Sequence, residues 1–401
     1  MRFLLATIGS RGDVQPVLAL AVRLTGLGQD VRMCAPPDFR GQVEGYGISF
    51  VPLGPELRAT GKVSPSAAPP TPEQRRRMVA DSVADQFAVI GAAAEDRDVL
   101  VQGGYLVTAA PTVAERRGIR YVMAAYCPIF LPSPRHAPPV FPGLGQKPAD
   151  GTVDNRVLWD EDTRRWNDTW GDLLNAHRDG LAPVTDVRGH VFTERPWLAA
   201  DPALAPWPEP GEGDVVQTGA WILPDERPLP PGVEEFLDAG EPPVYFGFGS
   251  VRAPEDLAAT MVKAARALGR RAIVLRGWAG LTPPDDGPDC LSVGEINQQA
   301  LFGRVAAVVH HGGAGTTTAA TRAGAPQVVI PQHVDQHYFA RRVGELGIGV
   351  AHAPGAPSAD SLAEALGRAL EPAVAARARA VAAEVRDDGA LIAAQRLIDG
   401  K

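Results

Sequence analysis

The chain has 401 residues, enough for two domains, each with a core of its own. Glycine and proline together make up about a fifth of it, short of the roughly 25–30% that marks low-complexity sequence, which excludes collagen-like and wholly disordered chains. The net charge of −8 argues against a nucleic-acid binder that works by counterion release. Only four of the 39 basic residues are lysine, a bias of the kind a GC-rich genome imposes and one without functional content. Cys34, Cys127 and Cys290 are odd in number, far apart and without a Cys-x-x-Cys pair, so neither a disulfide framework nor a zinc knuckle is expected and a reducing cytoplasm is the expected compartment. The apolar run over 3–8 is too short for a signal peptide core, and no run approaches the roughly 18 apolar residues of a membrane span.

In chain order, residues 2–8 predict a strand, 9–13 a Gly-rich turn and 14–27 a helix, the opening of a βα unit. Strands over 30–35 and 48–52 follow, the second after a helix over 39–45. A helix over 73–94, a strand over 99–102, a helix over 107–117 and a strand over 120–125 continue the alternation, which predicts a parallel sheet covered on both faces. Two Pro- and Gly-rich stretches, 55–72 and 127–151, interrupt it and read as binding loops. After a helix over 159–178 the chain thins into a Pro-rich connector. This sets a first domain over 1–201, a linker over 202–218, a second domain over 219–387 and a C-terminal helix over 388–401 returning to the first domain. In the second half, strands are predicted over 244–248, 272–275, 306–310 and 327–330, with helices over 255–268, 298–302, 314–323 and 336–346, then Ala-rich helices over 358–399. The two halves repeat one architecture, and two such domains leave a cleft at the carboxyl ends of their strands as the expected ligand site.

The strongest local signal is Val308-Val-His-His-Gly-Gly-Ala-Gly-Thr-Thr-Thr318, set between a buried-type strand and a helix. Glycines admit backbone N–H groups to a phosphate, the helix N-terminus adds partial positive charge and threonine hydroxyls can donate, so a diphosphate suits this turn. It lacks the Gly-Lys-Ser/Thr of a Walker loop and is not a Gly-x-Gly-x-x-Gly after a domain's first strand. A plain glycine turn for close helix–strand packing is the competing explanation.

With this loop the sequence resembles the two-Rossmann, nucleotide-sugar-dependent glycosyltransferases, and among them the actinomycete glycopeptide-antibiotic transferases. The resemblance spans nearly the whole chain and rests on Gly9-Ser-Arg-Gly-Asp13, Met33-Cys-Ala-Pro-Pro-Asp38, Gln217-Thr-Gly-Ala-Trp-Ile222, Phe246-Gly-Phe-Gly-Ser250, Arg276-Gly-Trp278, Val293-Gly-Glu-Ile-Asn297, His310-His-Gly-Gly-Ala-Gly-Thr316 and Asp335-Gln336. It implies the GT-B fold, two Rossmann-like doubly wound domains facing across a cleft, and a metal-independent, inverting transfer of a sugar from a TDP- or UDP-sugar to a glycopeptide aglycone or pseudoaglycone hydroxyl. No cofactor is implied beyond the nucleotide-sugar co-substrate, and the enzyme is expected to be a monomer. Such chemistry needs a base for the acceptor proton and a donor-rich seat for the departing diphosphate. The resemblance assigns Asp13 as the base. It assigns His311, Gly313, Ala314, Gly315, Thr316 and Thr317 to the diphosphate, with Ser250 and also Ser10, Arg11 and Gly12 closing over it. Asp335 and Gln336 are candidates for the sugar hydroxyls, and Trp278, Val293 and Asn297 for the base of the nucleotide. The loops 55–72 and 127–151 would shape the acceptor side.

Each has a simpler alternative. Asp13 and Asp335 also suit helix caps, and Trp278 suits a core position. Asp160-Glu-Asp162 matches the Asp-x-Asp of metal-dependent transferases but falls within a charged helix, where a solvated face is expected. The Arg11-Gly-Asp13 triplet lies in a strand–helix turn of a chain expected to be intracellular and is not expected to serve adhesion. His333 and His337 have a zinc-compatible spacing without a third ligand. The opening Gly-Ser-Arg-Gly-Asp-Val-Gln-Pro is also similar to sterol glucosyltransferases, which leaves sterol- or polyketide-type acceptors as an alternative. A two-Rossmann 2-epimerase shares the architecture but not this motif pair, and a non-catalytic transferase-activating partner would be expected to lose the donor loop kept here.

Overall fold

The structure is a computed structural model that describes residues 1–58, 70–141, 146, 149, 151–208, 215–250 and 256–400. Most of the stretch 55–72, and residues 142–145, 147, 148 and 150 of the second loop, lie outside the described residues. The chain divides into two compact units, Met1–Asp201 with Pro206–Leu223 and Arg386–Lys401, and Pro202–Ala205 with Pro224–Val385.

The first unit runs β1 (Arg2–Thr7), α1 (Arg11–Gly26), β2 (Asp30–Ala35), α2 (Arg40–Gly45), β3 (Ser49–Pro52), α3 (Pro72–Ala93), β4 (Val99–Gly103), α4 (Ala110–Arg117), β5 (Arg120–Ala125), α5 (Asn155–Asn175), α6 (Val187–Phe192), β6 (Trp197–Leu198) and β7 (Val216–Gln217). Its sheet has the order β3-β2-β1-β4-β5-β6-β7, every pair parallel, with Phe3 opposite both Val31 and Val99. Leu4, Ala6 and Leu100 are buried with Ile90 of α3 and Val113 of α4, the sign of a sheet covered by helices.

The helix expected over 14–27 starts three residues earlier, at Arg11, with Ser10 as its N-cap. The glycine turn is therefore only Gly9-Ser10, and Arg11, Gly12 and Asp13 form the first helical turn.

The Pro-rich stretch 202–218, of which 202–208 and 215–218 are described, is tied to the first unit through Trp207 and Gln217. Its Val216–Gln217 pairs with β6, the Gln217 amide donates to the Ala200 carbonyl at 2.9 Å and accepts from the Trp207 N–H at 3.0 Å, and residues 206–223 belong to the first unit. A two-residue strand is too short to show a period of two. The last helix, α14 (Gly389–Ile398), packs on α1 within the same unit.

The second unit contains α7 (Pro231–Asp238), β8 (Val244–Gly247), α8 (Leu257–Ala267), β9 (Ala272–Leu275), β10 (Cys290–Val293), α9 (Gln298–Leu301), β11 (Ala307–His310), α10 (Ala314–Arg322), β12 (Gln327–Val329), α11 (Asp335–Glu345), β13 (Gly349–Ala351), α12 (Ala359–Ala369) and α13 (Pro372–Ala382). Its parallel sheet has the order β10-β9-β8-β11-β12-β13. Alternation along the strands splits the core into two layers: Val244, Phe246 and Val309 pack on α8 and α12, while Tyr245, Ile273 and Val308 pack on the α7 and α9 side. Strands buried on both faces read as continuous apolar runs, so β8, β9 and β11 were visible in the sequence. The edge strands β10 and β13 were not. Among the described residues no helix is long and apolar enough to cross a membrane.

The expected solvated face at 160–162 holds for Asp160, which is exposed, but not for Asp162. Asp162 is buried on the inner side of α5, where its carboxylate accepts from Arg188 Nε at 3.0 Å. The Arg188 guanidinium lies over the rings of Trp159 and Phe192 and also donates to the Phe130 carbonyl at 2.6 Å, so one buried ion pair joins α5, α6 and the second loop. Asp162→Ala removes the carboxylate from that buried cation and is expected to destabilise the protein by about 3–5 kcal/mol. Asp160→Ala should change stability by no more than about 0.5 kcal/mol. Urea unfolding of the two variants measures the contrast.

Candidate functional site

In an open parallel sheet, ligands bind beyond the carboxyl ends of the strands, where successive connections run to opposite sides. That point lies between β1 and β4 in the first unit and between β8 and β11 in the second. Ser10, Arg11, Gly12 and Asp13 follow β1, Ser250 follows β8 and the 311–317 loop follows β11, at these two places, whereas Trp278, Val293 with Asn297, and Asp335 with Gln336 follow β9, β10 and β12.

In the first unit, β1 gives way to Gly9 and Ser10 and the chain turns directly into α1. Asp13 folds back across this turn. Its Oδ2 accepts from the Ser10 N–H at 2.9 Å and lies 3.5 Å from Ser10 Oγ, the reciprocal half of a capping box. A Cβ on Gly9 would stand 2.2 Å from that same oxygen, so only glycine lets the carboxylate lie here. The other oxygen, Oδ1, is turned toward Gly104 at the end of β4. Asp13 thus does act as a cap, and it is partly exposed while doing so. Arg11 is partly buried and Gly12 exposed. Gly103 and Gly104 give one signal in the sequence, a glycine pair closing a strand at the switch point.

In the second unit, His310 and His311 end β11 but do different things. His310 is fully buried, its Nδ1 accepting from the Gly312 N–H at 3.1 Å and its Nε2 donating to Gln327 Oε1 at 3.0 Å. Gln327 donates on to Thr321 Oγ1, which donates to the Thr317 carbonyl of α10. Burial pushes the His310 imidazole down to about 3, with a smaller push from His311. His310 is therefore a neutral strut. His311 stands nearer the loops: a Cβ on Gly313 would meet its Nε2 at 2.6 Å, and one on Gly249 its Cε1 at 3.3 Å. Burial takes its pKa down to about 4, against a smaller upward pull from the Gly247 backbone, and its Nδ1 is buried with no hydrogen-bond partner among the described residues. At neutral pH it offers a neutral ring, not a cation.

The α10 helix starts at Ala314, with Gly313 as its N-cap, so the amides of its first turn, including those of Gly315 and Thr316, are the open donors of a helix end. Thr317 Oγ1 donates to the Gly313 carbonyl at 2.9 Å and Thr318 Oγ1 to that of Ala314 at 2.8 Å. Their hydroxyl hydrogens are spent inside the helix. Thr316 is partly exposed.

Ser250 follows β8, and the Gly249 carbonyl before it accepts from the Trp278 N–H at 3.0 Å, tying the loops after β8 and β9 together. Trp278 itself is partly exposed. Two candidates for base recognition are otherwise engaged. The Asn297 side chain caps α9 through Ala300 N–H and gives both amide hydrogens to the Asp225 and Arg227 carbonyls, at 2.8 and 2.7 Å. Val293 is buried, and its carbonyl accepts from the Arg276 N–H at 2.9 Å. With both amide hydrogens committed, Asn297 has no donor left for a base.

Asp335 opens α11, and burial raises its carboxyl to about 6. Gln336 Oε1 accepts from the N–H groups of Gln332 and His333 at 2.8 and 3.0 Å, so its oxygen holds the preceding loop. Just before Asp335, Val334 has φ of 36°, a conformation a β-branched residue adopts only under constraint.

Two doubly wound sheets, each with a polar loop at its switch point, one carrying a carboxylate and the other a donor-rich helix start, match the architecture expected of the GT-B fold. Comparison with known proteins takes this further. The family model for the glycosyltransferase family 28 N-terminal domain matches residues 3–130, and that for the erythromycin biosynthesis protein CIII-like C-terminal domain matches residues 285–394. The chain is 52% identical to the vancomycin aglycone glucosyltransferase of Amycolatopsis orientalis over 100% of its own length and 97% of the relative's. It is 45% identical to the dTDP-epi-vancosaminyltransferase of the same organism, over 95% and 93%. Among solved structures, the glycosyltransferase of kitacinnamycin superposes with a TM-score of 0.72 at 20% identity, covering 100% of this chain and 98% of that one. VinC in complex with dTDP superposes with 0.67 at 22% identity and full coverage of both. The chain belongs to the glycopeptide-antibiotic glycosyltransferases, enzymes that transfer a sugar from a nucleotide sugar.

The buried groups at the second site set a pH dependence. His310 and His311 titrate near 6.5 when unfolded and at about 3 and about 4 when folded, so the stability they confer is complete above about 6.5 and is lost as pH falls. Asp335, raised from 3.8 to about 6, works the other way: acidification through 6 favours the fold. Melting midpoints between pH 7.5 and 4.5 should therefore fall on acidification, and fall more steeply in Asp335→Asn, which removes the opposing group.

Proposed function

We propose that this enzyme transfers a sugar, with inversion at the anomeric carbon, from a TDP- or UDP-sugar to a hydroxyl of a glycopeptide aglycone or pseudoaglycone, with Asp13 as general base. The observation that carries this is the full-length likeness to a vancomycin aglycone glucosyltransferase, joined to a carboxylate at the first switch point and a diphosphate-sized set of donors at the second. A relative named as a dTDP-epi-vancosaminyltransferase and a fold neighbour solved with dTDP support thymidine diphosphate as a carrier, with uridine diphosphate the alternative. We take the enzyme to act as a monomer in the cytoplasm.

In this reaction the acceptor oxygen forms a bond to the anomeric carbon while the bond from that carbon to the diphosphate oxygen breaks, its electron pair leaving with the diphosphate. The acceptor proton passes to Asp13. The Ser10 N–H donates to Oδ2 at 2.9 Å and so fixes where the carboxylate stands. Charge gathers on the leaving diphosphate, and the amides at the start of α10 with neutral His311 supply donors there. Ser250 and Thr316 add hydroxyls, Asp335 addresses the sugar, and Trp278 packs on the nucleoside.

Asp13→Asn keeps the cap at similar stability but cannot take a proton. Turnover should fall by about 10²–10⁴ with nucleotide affinity nearly unchanged. His311→Ala should weaken TDP or UDP binding by about tenfold or more and lower turnover as well, since it removes a donor from the leaving group. Calorimetry with the nucleotides and a mass-spectrometric transfer assay on a glycopeptide aglycone separate the two effects. Retention of more than about a tenth of normal turnover by Asp13→Asn overturns the base assignment.

A further inference from the structure

The elements around Asp13 contain a group with no part in the scheme above. Tyr126 follows the last residue of β5, two strands away from β1 in the sheet order. Its side chain crosses β4 rather than packing beside its own strand, and its hydroxyl donates to the main-chain carbonyl of Asp13 at 3.1 Å. The path exists because β4 ends in glycine. A Cβ on Gly103 would stand 2.2 Å from Tyr126 Oη and 2.2 Å from Val17 Cγ2 of α1, and one on Gly104 would stand 3.9 Å from the Tyr126 ring and 3.6 Å from Asp13 Oδ1. The same Asp13 carbonyl receives Thr7 Oγ1 of β1 at 3.4 Å. Two hydroxyls from two strands thus meet on one peptide group, the one that carries the carboxylate.

We propose that Tyr126 is a positioning residue for the transfer step, holding the first turn of α1 so that the Asp13 carboxylate keeps a fixed place and orientation toward the acceptor. The proposal rests on Asp13 being the base. Burial and the Asp13 charge push the Tyr126 phenol well above its usual value, so it stays a neutral donor over the working pH range. Nothing in its place requires contact with either substrate. Removing its hydroxyl should therefore alter how fast the proton is taken and leave binding alone.

The test is a double-mutant cycle of Tyr126→Phe with Asp13→Asn in the full chain, read by single-turnover transfer from TDP-glucose or UDP-glucose, whichever the wild type uses, to a glycopeptide aglycone. Tyr126→Phe should lower the single-turnover rate about tenfold, a loss of the size expected when a reacting group shifts by a fraction of an ångström, with KM for the aglycone and nucleotide affinity unchanged. In the Asp13→Asn background the same substitution should cost less than about twofold, because a base that is absent cannot be misplaced.

An equal loss in both backgrounds, or a loss that appears as raised KM, shows a merely structural tyrosine and overturns the proposal. So does a Tyr126→Phe enzyme of normal rate. If Asp13→Asn itself retains more than about a tenth of the rate, the base assignment has failed first. If only the cycle fails, the base stands and the positioning role falls. Far-ultraviolet circular dichroism at the assay temperature, expected to match the wild type, shows that the variant is folded.

Discussion

The packing of the Asp13 carboxylate against bare backbone is the constraint around which the first site is arranged. A carboxylate oxygen occupies the place where a side chain at Gly9 would be, and the peptide that carries it is pinned by hydroxyls from Thr7 and Tyr126. These contacts tie a helix start to the ends of β1, β4 and β5, so the position of one carboxylate depends on the register of three strands. That register is set in turn by the buried alternation of the sheet, with Phe3 against Val99 and Leu100 against Tyr121. A loop could present an aspartate with less machinery. It could not hold it to a fraction of an ångström, the tolerance that proton transfer demands.

The second site uses the same architectural position for the opposite polarity. The fold supplies a helix start at each switch point, and a helix start favours negative charge. In the first unit that charge belongs to the protein, as the carboxylate of Asp13. In the second no acidic residue stands in the first turn of α10, and the proposed diphosphate would supply that charge. The histidines complete the contrast. Burial keeps both neutral, His310 locked between Gly312 and Gln327 and His311 with a ring nitrogen left unsatisfied among the described residues. An unpaired buried donor or acceptor costs about 1–3 kcal/mol, so its persistence beside a glycine-lined loop fits a group whose partner is a ligand.

Much of this was legible in the sequence because it depends on backbone needs that only certain residues meet. Apolar runs of four or five residues marked the central strands, and glycines between strand and helix marked both switch-point loops. What escaped shares one cause: the structure there depends on contacts between residues distant in sequence. β6 and β7 are two-residue strands with too few residues to show a period, and β10 and β13 are edge strands held by one neighbour each. The paired Asp162 looks solvated in a charged helix because its partner, Arg188, is 26 residues away. Asn297 looked like a base reader until Asp225 and Arg227, some seventy residues earlier, took both its amide hydrogens. Tyr126, 113 residues from Asp13, has no motif at all; only the glycine pair it passes hints at it.

These misses show how the two kinds of information divide. Residues that need a special backbone, such as Gly9 or Gly312, announce themselves locally, since no other residue type would fit. Residues that act through an ordinary hydrogen bond do not, because serine, tyrosine or asparagine can fill many roles with one side chain. The groups proposed to touch substrate sit on the first kind of scaffold, and the groups that hold them in place are of the second kind. Substitutions among the first should abolish a site, whereas substitutions among the second should degrade its precision while leaving fold and binding in place. For a family that keeps one reaction while its members are named for different sugars, the second group is where the geometry of transfer can be tuned without loss of the chemistry.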